Sequence, residues 1–368
     1  MAGAAASRDD MTRGIAAGTA GDESEQAVQL GAWLSERLGA EVRLDGVRAP
    51  AQGGLSSDTL LATARWRDHE AGEQSLDLVF RLEPAAGLFP DYDLPGEAQL
   101  MKTLAEHTSV PVPTVRWVES RAEVVGRPFV VMDRVEGRIP SDFPPYHAGG
   151  WLLDASPLEQ RRLQRSSIEA MAAVCRLDPW AMGLGFLDRR EYGPAGPDQQ
   201  LGYWRAVFAW ACGGDAVTEV EEVFAWCERN RPGDDPPVGL CWGDARLANI
   251  VYGPGFEPAA LLDWEMATVG PGELDLAWFL FLHELALTYF DELPGFAGRD
   301  QVIADFAAAL GREVRDLLFY EVLAGLRAAI VQVSIGRRRH DSGDPEGLRF
   351  QHANPVLDRV REMLVDPG

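Results

Sequence analysis

The hydrophobic pattern of the chain changes near Gly137, and this change limits the possible folds more than any other feature. Before it, short β-like runs surround one helical stretch, residues 97–107, which a Val-Pro-Val-Pro sequence ends. After it, long amphipathic stretches are interrupted by only two strand-like runs, residues 249–253 and 259–264. The sequence therefore predicts an α+β protein with a small β-rich N-lobe and a larger, mainly helical C-lobe. Ligands commonly bind in the cleft between two such lobes.

Periodicity and breaker residues place the individual elements. A first strand is expected before residue 50. The other predicted strands are 60–67, 76–82, 114–119 and 128–135. The predicted helices are 25–38, 97–107, 158–177, 201–211, 216–229, 273–290, 300–310 and 313–332.

The charge and the lysine content exclude two classes of protein. The formal net charge of −23 argues against a nucleic-acid partner, because contacts to phosphate need clustered Lys and Arg side chains. It is compatible with a cationic substrate, although acidity also serves solubility. Lys102 is the only lysine, and Met101 stands where a P-loop around it would need its second glycine. The sequence therefore excludes a P-loop enzyme.

Cysteine spacing and hydropathy indicate a soluble, cytoplasmic protein. The four cysteines show no C-x-x-C spacing, so we expect free thiols in a reducing compartment. Residues 1–25 are rich in small and polar residues and lack the apolar core of a signal peptide, which predicts a disordered tail. The most apolar stretch, residues 274–290, is interrupted by Asp275, His283 and Glu284, which predicts a buried helix and no membrane partner. The oligomeric state stays open.

One segment, residues 241–281, carries the clearest chemical pattern. Asp244 and Asn249 lie five positions apart before a strand-like run, and Asp263 comes fourteen positions later, after a second run. A kinase-type site needs one carboxylate that orients the acceptor and takes its proton, and an amide oxygen and a second carboxylate for magnesium. A strand–turn–strand hairpin would bring the last two together. Arg246 stands where a protein-kinase catalytic loop carries a cation.

The same segment resembles the aminoglycoside phosphotransferase and choline kinase-like family, especially its branch associated with acyl-CoA dehydrogenases. That family's signature reads roughly H-G-D-x-R-x-x-N, then L-D-W-E, then D-L-A. The residues that match it in order are Gly243, Asp244, Arg246, Asn249, Leu262, Asp263, Trp264, Glu265, Asp275, Leu276 and Ala277. The resemblance covers about residues 51–285. Trp242 departs from it, because it replaces a histidine that chiefly supports the loop, so a difference is expected in the packing of that loop.

The resemblance implies a protein-kinase-like two-lobe fold. It also implies transfer of the γ-phosphate of ATP to a hydroxyl of a small molecule, with Mg2+ as cofactor. Asp244 would orient the hydroxyl and accept its proton, Asn249 and Asp263 would hold the metal, and Arg246 would assist the γ-phosphate.

The other acidic and histidine side chains near this segment receive structural or open assignments. Asp275 is expected to brace the catalytic loop, and Glu265 is either a second carboxylate beside the metal or a packing residue. The six histidines never adopt H-x-x-x-H spacing, so no zinc site is predicted. For His283 we favour a packing or surface role over catalysis.

The phosphate groups of the nucleotide are expected to meet a glycine- and serine-rich turn in the first third of the chain. Gly54 allows close approach of the backbone, and Ser56 and Ser57 offer amides and hydroxyls to phosphate oxygens. Taken alone, such a turn is more often a simple hairpin. Its position ahead of the third strand matches the phosphate loop of the family.

Arg81 is the candidate for the cation that the family places on the third strand to hold the α- and β-phosphates, because lysine is absent there. Its helix partner is expected to be Glu97, and an exposed strand charge is the alternative. At the hinge, the backbone of Asp133 and Val135 would hydrogen-bond the adenine edge. An ordinary strand followed by a turn is the alternative there.

The expected division of the chain is a tail at 1–25, a nucleotide-binding lobe at 26–133 and a catalytic and acceptor-binding lobe at 134–368. The acceptor could be cationic and met by carboxylates or by tryptophan rings. The candidate carboxylates are Glu273, Glu284, Asp291 and Glu292. The candidate tryptophans are Trp180, Trp204, Trp210, Trp226, Trp242, Trp264 and Trp278. An acyl-CoA-like acceptor, or a nucleotide-binding pseudokinase that acts as a regulatory or scaffold module, remains an alternative.

Overall fold

A computed structural model describes residues 23–50, 58–234 and 236–365, which belong to two compact units. Unit 1 consists chiefly of Gly137–Gly368, and unit 2 consists of Ile15–Gly87 and Asp91–Glu136. The division falls three residues after the predicted lobe boundary. The N–H of Arg134 still donates to the carbonyl of Asp77 in the sheet at 2.9 Å, which ties the residues after the last strand to unit 2.

Unit 2 contains, among its described residues, a five-stranded antiparallel sheet in the order β1-β2-β3-β5-β4. Its elements are α1 (Glu23–Leu38), β1 (Val42–Arg48), β2 (Asp58–Asp68), β3 (Gly72–Leu82), α2 (Leu94–His107), β4 (Val115–Glu119) and β5 (Phe129–Asp133). The β2–β3 hairpin keeps one register along its whole length. The predicted strands are therefore confirmed, and α1 begins at Glu23, inside the stretch predicted as a tail.

One face of this sheet packs against α1. Alternating residues of β2 and β3, such as Ala64, Leu78 and Phe80, are buried in one cluster with Leu30 and Trp33 of α1. Burial of a large apolar side chain stabilises the fold by about 1.5–3 kcal/mol. This core holds β3, the strand that carries the candidate cation, in place.

Helix α2 begins at a proline and an N-cap. The carboxylate of Asp93 accepts the N–H of Gly96 at 2.9 Å, and Pro95 occupies the first turn, where a missing N–H costs nothing. The helix starts three residues before the predicted position for this reason, and it ends at His107, with Thr108 as its C-cap. Glu97 consequently lies in its first turn.

The elements of unit 1 are mainly helical, and its strands are short. They are α3 (Pro157–Cys175), α4 (Pro197–Cys212), α5 (Thr218–Arg229), β6 (Val238–Cys241), β7 (Ile250–Tyr252), β8 (Pro258–Leu261), β9 (Thr268–Pro271), α6 (Glu273–Leu287), α7 (Arg299–Leu310), α8 (Leu317–Asp341), α9 (Gly347–His352) and α10 (Pro355–Val365). β6 pairs with β9 and β7 pairs with β8, both antiparallel. The expectation of only two strands after Gly137 was wrong, because four-residue runs that contain glycine carry little strand signal.

Helix α8 lies at the centre of unit 1 and contacts α4, α5, α6, α9 and α10. Among the described residues it is the one helix long and apolar enough to cross a membrane, and 83% of its most apolar window is buried inside the structure. A helix in the core of a folded protein is buried in this way. The predicted end at residue 332 was wrong, since the helix continues through a polar, arginine-rich turn to Asp341.

The four cysteines are free thiols, as predicted, and three of them are buried. Burial raises the pKa of Cys227 to about 12. That thiol is therefore a packing group and not a nucleophile.

Candidate active site

The catalytic loop, residues 242–249, joins β6 to β7, and its first turn depends on glycine. Gly243 has a φ of 91°, and a Cβ atom there would lie 2.1 Å from the carbonyl oxygen of Met266. Any other residue would clash with backbone and adopt an unfavourable conformation. The close approach holds the loop against the segment that follows β8.

Asp244 lies in the catalytic loop with 7% exposure, and both of its carboxylate oxygens accept hydrogen bonds. Oδ1 accepts from Nε1 of Trp278 at 2.7 Å. Oδ2 accepts from Nδ2 of Asn249 at 2.7 Å and from Nε of Arg246 at 2.9 Å. Three donors fix the orientation of this carboxylate, which a general base needs if it is to meet one hydroxyl.

Asn249 and Asp263 lie at the two ends of the β7–β8 hairpin, as predicted. Asn249 ends a short 3-10 helix, and its carbonyl oxygen accepts the N–H of Leu262 at 2.8 Å. Asp263 follows with a φ of 60°, a conformation that is uncommon outside glycine and that clusters at functional sites. Because Asn249 donates to Asp244 through Nδ2, its Oδ1 is the atom that it can offer to a cation.

Arg246 links Asp244 to the segment that precedes α3. Its Nε donates to Asp244, and its Nη1 donates to Asp142. Partial burial lowers the pKa of Arg246, but the charges of Asp142 and Asp244, with a smaller contribution from Asp263, raise it above its ordinary value. Arg246 is therefore a permanent cation beside the candidate base.

Asp275, in the first turn of α6, braces the catalytic loop, as predicted. It is fully buried and accepts the N–H of Trp242 at 2.7 Å and the N–H of Gly243 at 2.8 Å. Burial raises the pKa of Asp275, and the two N–H donors and Arg327 oppose that rise. Arg327 of α8 donates to the carbonyl of Gly243 at 2.7 Å, so the loop is held by its amides and by a carbonyl.

Trp242 supports the loop in its own way. Its ring is fully buried, with its centroid 5.8 Å from that of Trp264. Its Nε1–H donates to the carbonyl of Leu262 at 2.8 Å. Since Leu262 precedes Asp263, the indole connects the catalytic loop to the segment with the second candidate metal ligand. The departure from the family signature thus keeps a hydrogen-bonded support at this position.

In unit 2, Arg81 of β3 and Glu97 of α2 form the predicted pair. Nη1 of Arg81 lies 2.8 Å from a carboxylate oxygen of Glu97, and both residues are 8% exposed. The alternative of an exposed strand charge is therefore wrong. Protein kinases place a strand lysine and a helix glutamate in an equivalent pair. Arginine takes the strand position here.

The hinge offers fewer backbone groups than predicted. The N–H of Asp133 donates to the carbonyl of Thr114 at 2.9 Å, and the Asp133 carboxylate pairs with Arg116. That N–H is therefore committed to the sheet, which leaves the Asp133 carbonyl and the backbone of Val135 as candidates for the adenine edge. The predicted residues that lie outside the described part of the chain are Gly54, Ser56 and Ser57.

Several side chains expected to meet a cationic acceptor have structural partners instead. Glu273 is fully buried and accepts from Arg312, and Glu284 pairs with Arg299 and Arg359. Their charges are thus neutralised within the protein. The tryptophans that are buried and cannot form an exposed cage are Trp204, Trp242, Trp264 and Trp278.

Three contacts of the site were not predicted. Trp278, the donor to Asp244, lies three residues after Asp275, and this helical spacing could have indicated a shared face. Arg327 is a lone charge in the apolar run of α8, a pattern that indicates a buried and paired group. Asp142 lies 104 residues from Arg246, and no local pattern indicates that pairing.

A comparison with known protein families gives the assignment. The family described as "Phosphotransferase enzyme family" matches residues 48–321, which is most of the chain. The chain belongs to the phosphotransferase enzyme family. A rat protein named acyl-CoA dehydrogenase family member 11 is 31% identical over 214 residues, which are 58% of this chain and 25% of that protein. An Arabidopsis thaliana protein named as an acyl-CoA dehydrogenase, IBR3, is 26% identical over 71% of this chain and 33% of that protein. The chain thus spans about a quarter to a third of the length of these relatives.

Solved structures of phosphotransferases share the fold. A Ralstonia eutropha protein classed as an aminoglycoside phosphotransferase aligns with 91% of this chain and 98% of its own, at 20% identity and a TM-score of 0.61. Macrolide 2′-phosphotransferase type I aligns with 89% of this chain and 97% of its own, at 18% identity and a TM-score of 0.57. A thermostable variant of the aminoglycoside phosphotransferase APH(4)-Ia, in complex with ADP and hygromycin B, aligns with 92% and 98%, at 15% identity and a TM-score of 0.55. The predicted α+β, protein-kinase-like fold is confirmed.

Proposed function

We propose that this protein is an ATP- and Mg2+-dependent phosphotransferase that moves the γ-phosphate of ATP to a hydroxyl of a small molecule. The observation that carries the proposal is the fixed carboxylate of Asp244, hydrogen-bonded at 2.7 Å to Asn249, which starts the hairpin that ends at Asp263. Membership of the phosphotransferase family supports it independently.

Asp244 orients the acceptor hydroxyl and takes its proton as the new oxygen–phosphorus bond forms. The bond between the γ-phosphorus and the bridging oxygen of ATP breaks, and ADP leaves. An ionised carboxylate has about four acceptor positions, and protein donors occupy three of them. Two of these donors share Oδ2, so the remaining position belongs to Oδ1. The acceptor hydroxyl is therefore expected to meet Oδ1, beside the indole of Trp278.

Arginine side chains supply the proposed phosphate contacts. Arg246 is a permanent cation next to Asp244 and assists the γ-phosphate. Arg81, held by Glu97, binds the α- and β-phosphates with the fixed fork of a guanidinium. Neither role needs a strand lysine.

The donor set of the hairpin fits magnesium. Mg2+ prefers oxygen ligands, and Oδ1 of Asn249 and the carboxylate of Asp263 are both oxygen donors. Bound there, Mg2+ would supply positive charge to the phosphate oxygens. Asn249 and Asp263 are the residues that would hold it, while the protonation chemistry belongs to Asp244.

The proposed reaction requires an acceptor that is a small molecule with a free hydroxyl. The relatives named acyl-CoA dehydrogenases motivate a hydroxylated acyl-CoA, and the structural neighbour with hygromycin B motivates an aminoglycoside. Choline represents the smaller cationic acceptors. These three classes form the panel for the test below.

A nucleotide-binding pseudokinase was the alternative, motivated by Trp242 and by the missing strand lysine. Trp242 donates a hydrogen bond that supports the loop, and Arg81 pairs with Glu97 at 2.8 Å. Trp242 and Arg81, the two residues that depart from the usual pattern, thus each form a contact that can replace the missing one. These observations favour the enzyme over the scaffold.

The test is an assay of the purified chain with ATP, MgCl2 and each acceptor class, read by mass spectrometry of the acceptor and by ADP release. We expect one acceptor to gain a phosphoryl group in equal amount to the ADP formed. EDTA should abolish this product, and Asp244→Asn should slow its formation by at least about 100-fold. Tight ATP binding without phosphorylated product from any acceptor would favour the pseudokinase.

A further inference from the structure

A second group of potential ligands lies elsewhere in unit 1. His147, His283 of α6 and Glu292 each offer one ligand atom, and these atoms lie within 4.8 Å of one another. Nε2 of His283 is 2.8 Å from one Glu292 oxygen, and Nε2 of His147 is 4.0 Å from the other. The two histidines come from distant parts of the chain, because Tyr146, which directly precedes His147, lies 137 residues before His283. The spacing rule that predicted no zinc site detects only ligands on one helix, so it could not have found this group.

His147 is the member of the group whose ring nitrogens form no hydrogen bond among the described residues. The residue is 7% exposed, and neither Nδ1 nor Nε2 has a hydrogen-bond partner among the described residues. Buried polar groups in folded proteins are nearly always paired, so an imidazole with two unpaired nitrogens needs an explanation. A cation bound to Nε2 would give this nitrogen a partner, beside a second imidazole and a carboxylate.

The surroundings of the other two ligands suit metal coordination. The hydroxyl of Tyr146 lies 3.2 Å from Nδ1 of His283, which leaves Nε2 of His283 to bind the ion. The N–H of Leu293 donates to a Glu292 oxygen at 2.9 Å. Aromatic rings cover both histidines, since Tyr146 stacks on His147 and Phe296 stacks on His283. Outer hydrogen bonds and an apolar wall are the features that orient ligands in metal sites.

We propose that His147, His283 and Glu292 bind a divalent transition-metal ion, with Zn2+ as the best match. Two imidazoles and one carboxylate are an established ligand set for tetrahedral zinc, whereas Mg2+ prefers oxygen ligands. Neighbouring ligand atoms in tetrahedral zinc sites are about 3.3 Å apart. The three ligand atoms lie within 4.8 Å of one another, so shifts of about 1.5 Å or less bring them to that spacing.

The zinc site is separate from the site proposed for phosphoryl transfer. Among the described residues, no hydrogen bond joins its three ligands to Asp244, whose partners are Trp278, Asn249 and Arg246. The proposal therefore does not rest on the proposed function. A bound ion would join the segment before α3 to α6 and to the residues that follow α6, and it would leave a fourth position for water or a ligand group.

The experiment is a calorimetric titration of the full chain with ZnCl2, after EDTA treatment and in excess MgCl2, with the bound metal counted by elemental analysis. We expect one Zn2+ per chain that Mg2+ does not displace. Titration with Co2+ should give the intense visible absorption of tetrahedral cobalt. Asn249→Ala should leave both results unchanged, which separates this site from the magnesium ligands.

His147→Phe is the decisive variant, because it keeps a ring stacked on Tyr146 and removes both nitrogens. It should weaken Zn2+ binding by at least about 100-fold and abolish the cobalt spectrum. His352→Phe is the matched control, since His352 also contacts a glutamate, Glu219, outside this group. It should bind as the wild type does.

Circular dichroism establishes that each variant is folded, and Glu292→Gln provides the same test if His147→Phe is not. Failure of the wild type to bind one Zn2+ would overturn the proposal. Undiminished binding by a folded His147→Phe or Glu292→Gln would overturn it as well.

Discussion

Two carboxylates of unit 1, Asp244 in the catalytic loop and Asp275 at the start of α6, are both buried but are held by different donors. Asp275 accepts two backbone N–H groups of the loop. Asp244 accepts from three side chains and keeps one acceptor position on Oδ1. A carboxylate bound to backbone amides fixes a loop, whereas one oriented by side chains with a position to spare can meet a substrate. Burial alone therefore does not identify a catalytic base.

The largest effect is expected for Asp244→Asn. The turnover number should fall by about 10²–10⁴-fold, because an amide cannot take the proton of the hydroxyl. The affinity for ATP should change little, since the side chain keeps its shape. The free energy of unfolding should fall by about 1–2 kcal/mol, because the amide NH2 must face at least one of the three donors. Steady-state kinetics with the acceptor that the proposed assay identifies, calorimetry with ATP and urea denaturation measure the three quantities. A turnover number within tenfold of the wild-type value would contradict the assignment of Asp244, rather than Asp275, as the catalytic base.

Asp275→Asn should act chiefly on stability, and more strongly than Asp244→Asn. The amide can accept only one of the two loop N–H groups and turns its own NH2 towards the other, so the free energy of unfolding should fall by about 3 kcal/mol. Urea denaturation, compared with Asp244→Asn, measures the difference. If Asp275→Asn is as stable as the wild type, the hydrogen bonds from Asp275 to the two loop N–H groups do not stabilise the fold.

Trp242→Phe should have a smaller effect, because it removes one donor and keeps an aromatic ring. The carbonyl of Leu262 loses its partner, which should cost about 1–2 kcal/mol of stability and lower turnover several-fold, since Asp263 follows directly.

Trp264→Phe is its matched control. That indole donates to the carbonyl of Leu261 at 3.1 Å, one residue further from Asp263. A similar loss of stability with a smaller loss of turnover is expected. Equal losses of turnover in both variants would show that the hydrogen bond of Trp242 has no special connection to Asp263.

The smallest effect concerns a third buried carboxylate, Glu119 in unit 2. Hydrogen bonds from Arg121 and Trp33 lower the pKa of Glu119 below its ordinary value of 4.5. A carboxylate with a lowered folded-state pKa contributes stability above its unfolded pKa and loses that contribution as pH falls towards the folded pKa. Glu119→Gln should therefore be less stable than the wild type by about 1 kcal/mol at pH 7, and the difference should shrink below about pH 4.5. Urea denaturation from pH 7 to pH 3 measures it, and a difference independent of pH would contradict the assignment.

The sequence predicted the contacts that come from contiguous segments. Asp244, Asn249 and Asp263 belong to one loop and the hairpin after it, so their spacing alone brought them together. The pairing of Arg81 with Glu97 followed from neighbouring elements and from the family pattern. The strands β7 and β8 could be predicted from the sequence because turn residues bound their apolar runs.

The contacts that the sequence did not predict depend on how distant helices pack. Asp142 reaches Arg246 across 104 residues, and His147 meets His283 and Glu292 only because the segment before α3 lies against α6. The strands β6 and β9 have little strand propensity of their own and form because each pairs with the other. Such features require the folded structure.

A crystal structure with Mg2+ and a non-hydrolysable ATP analogue tests the central claim most directly. The account predicts a magnesium ion about 2.1 Å from Oδ1 of Asn249 and from a carboxylate oxygen of Asp263. It also predicts that Asp244 stays outside the coordination sphere, hydrogen-bonded to Trp278. An ion coordinated by Asp244, or one bound away from Asn249 and Asp263, would contradict it.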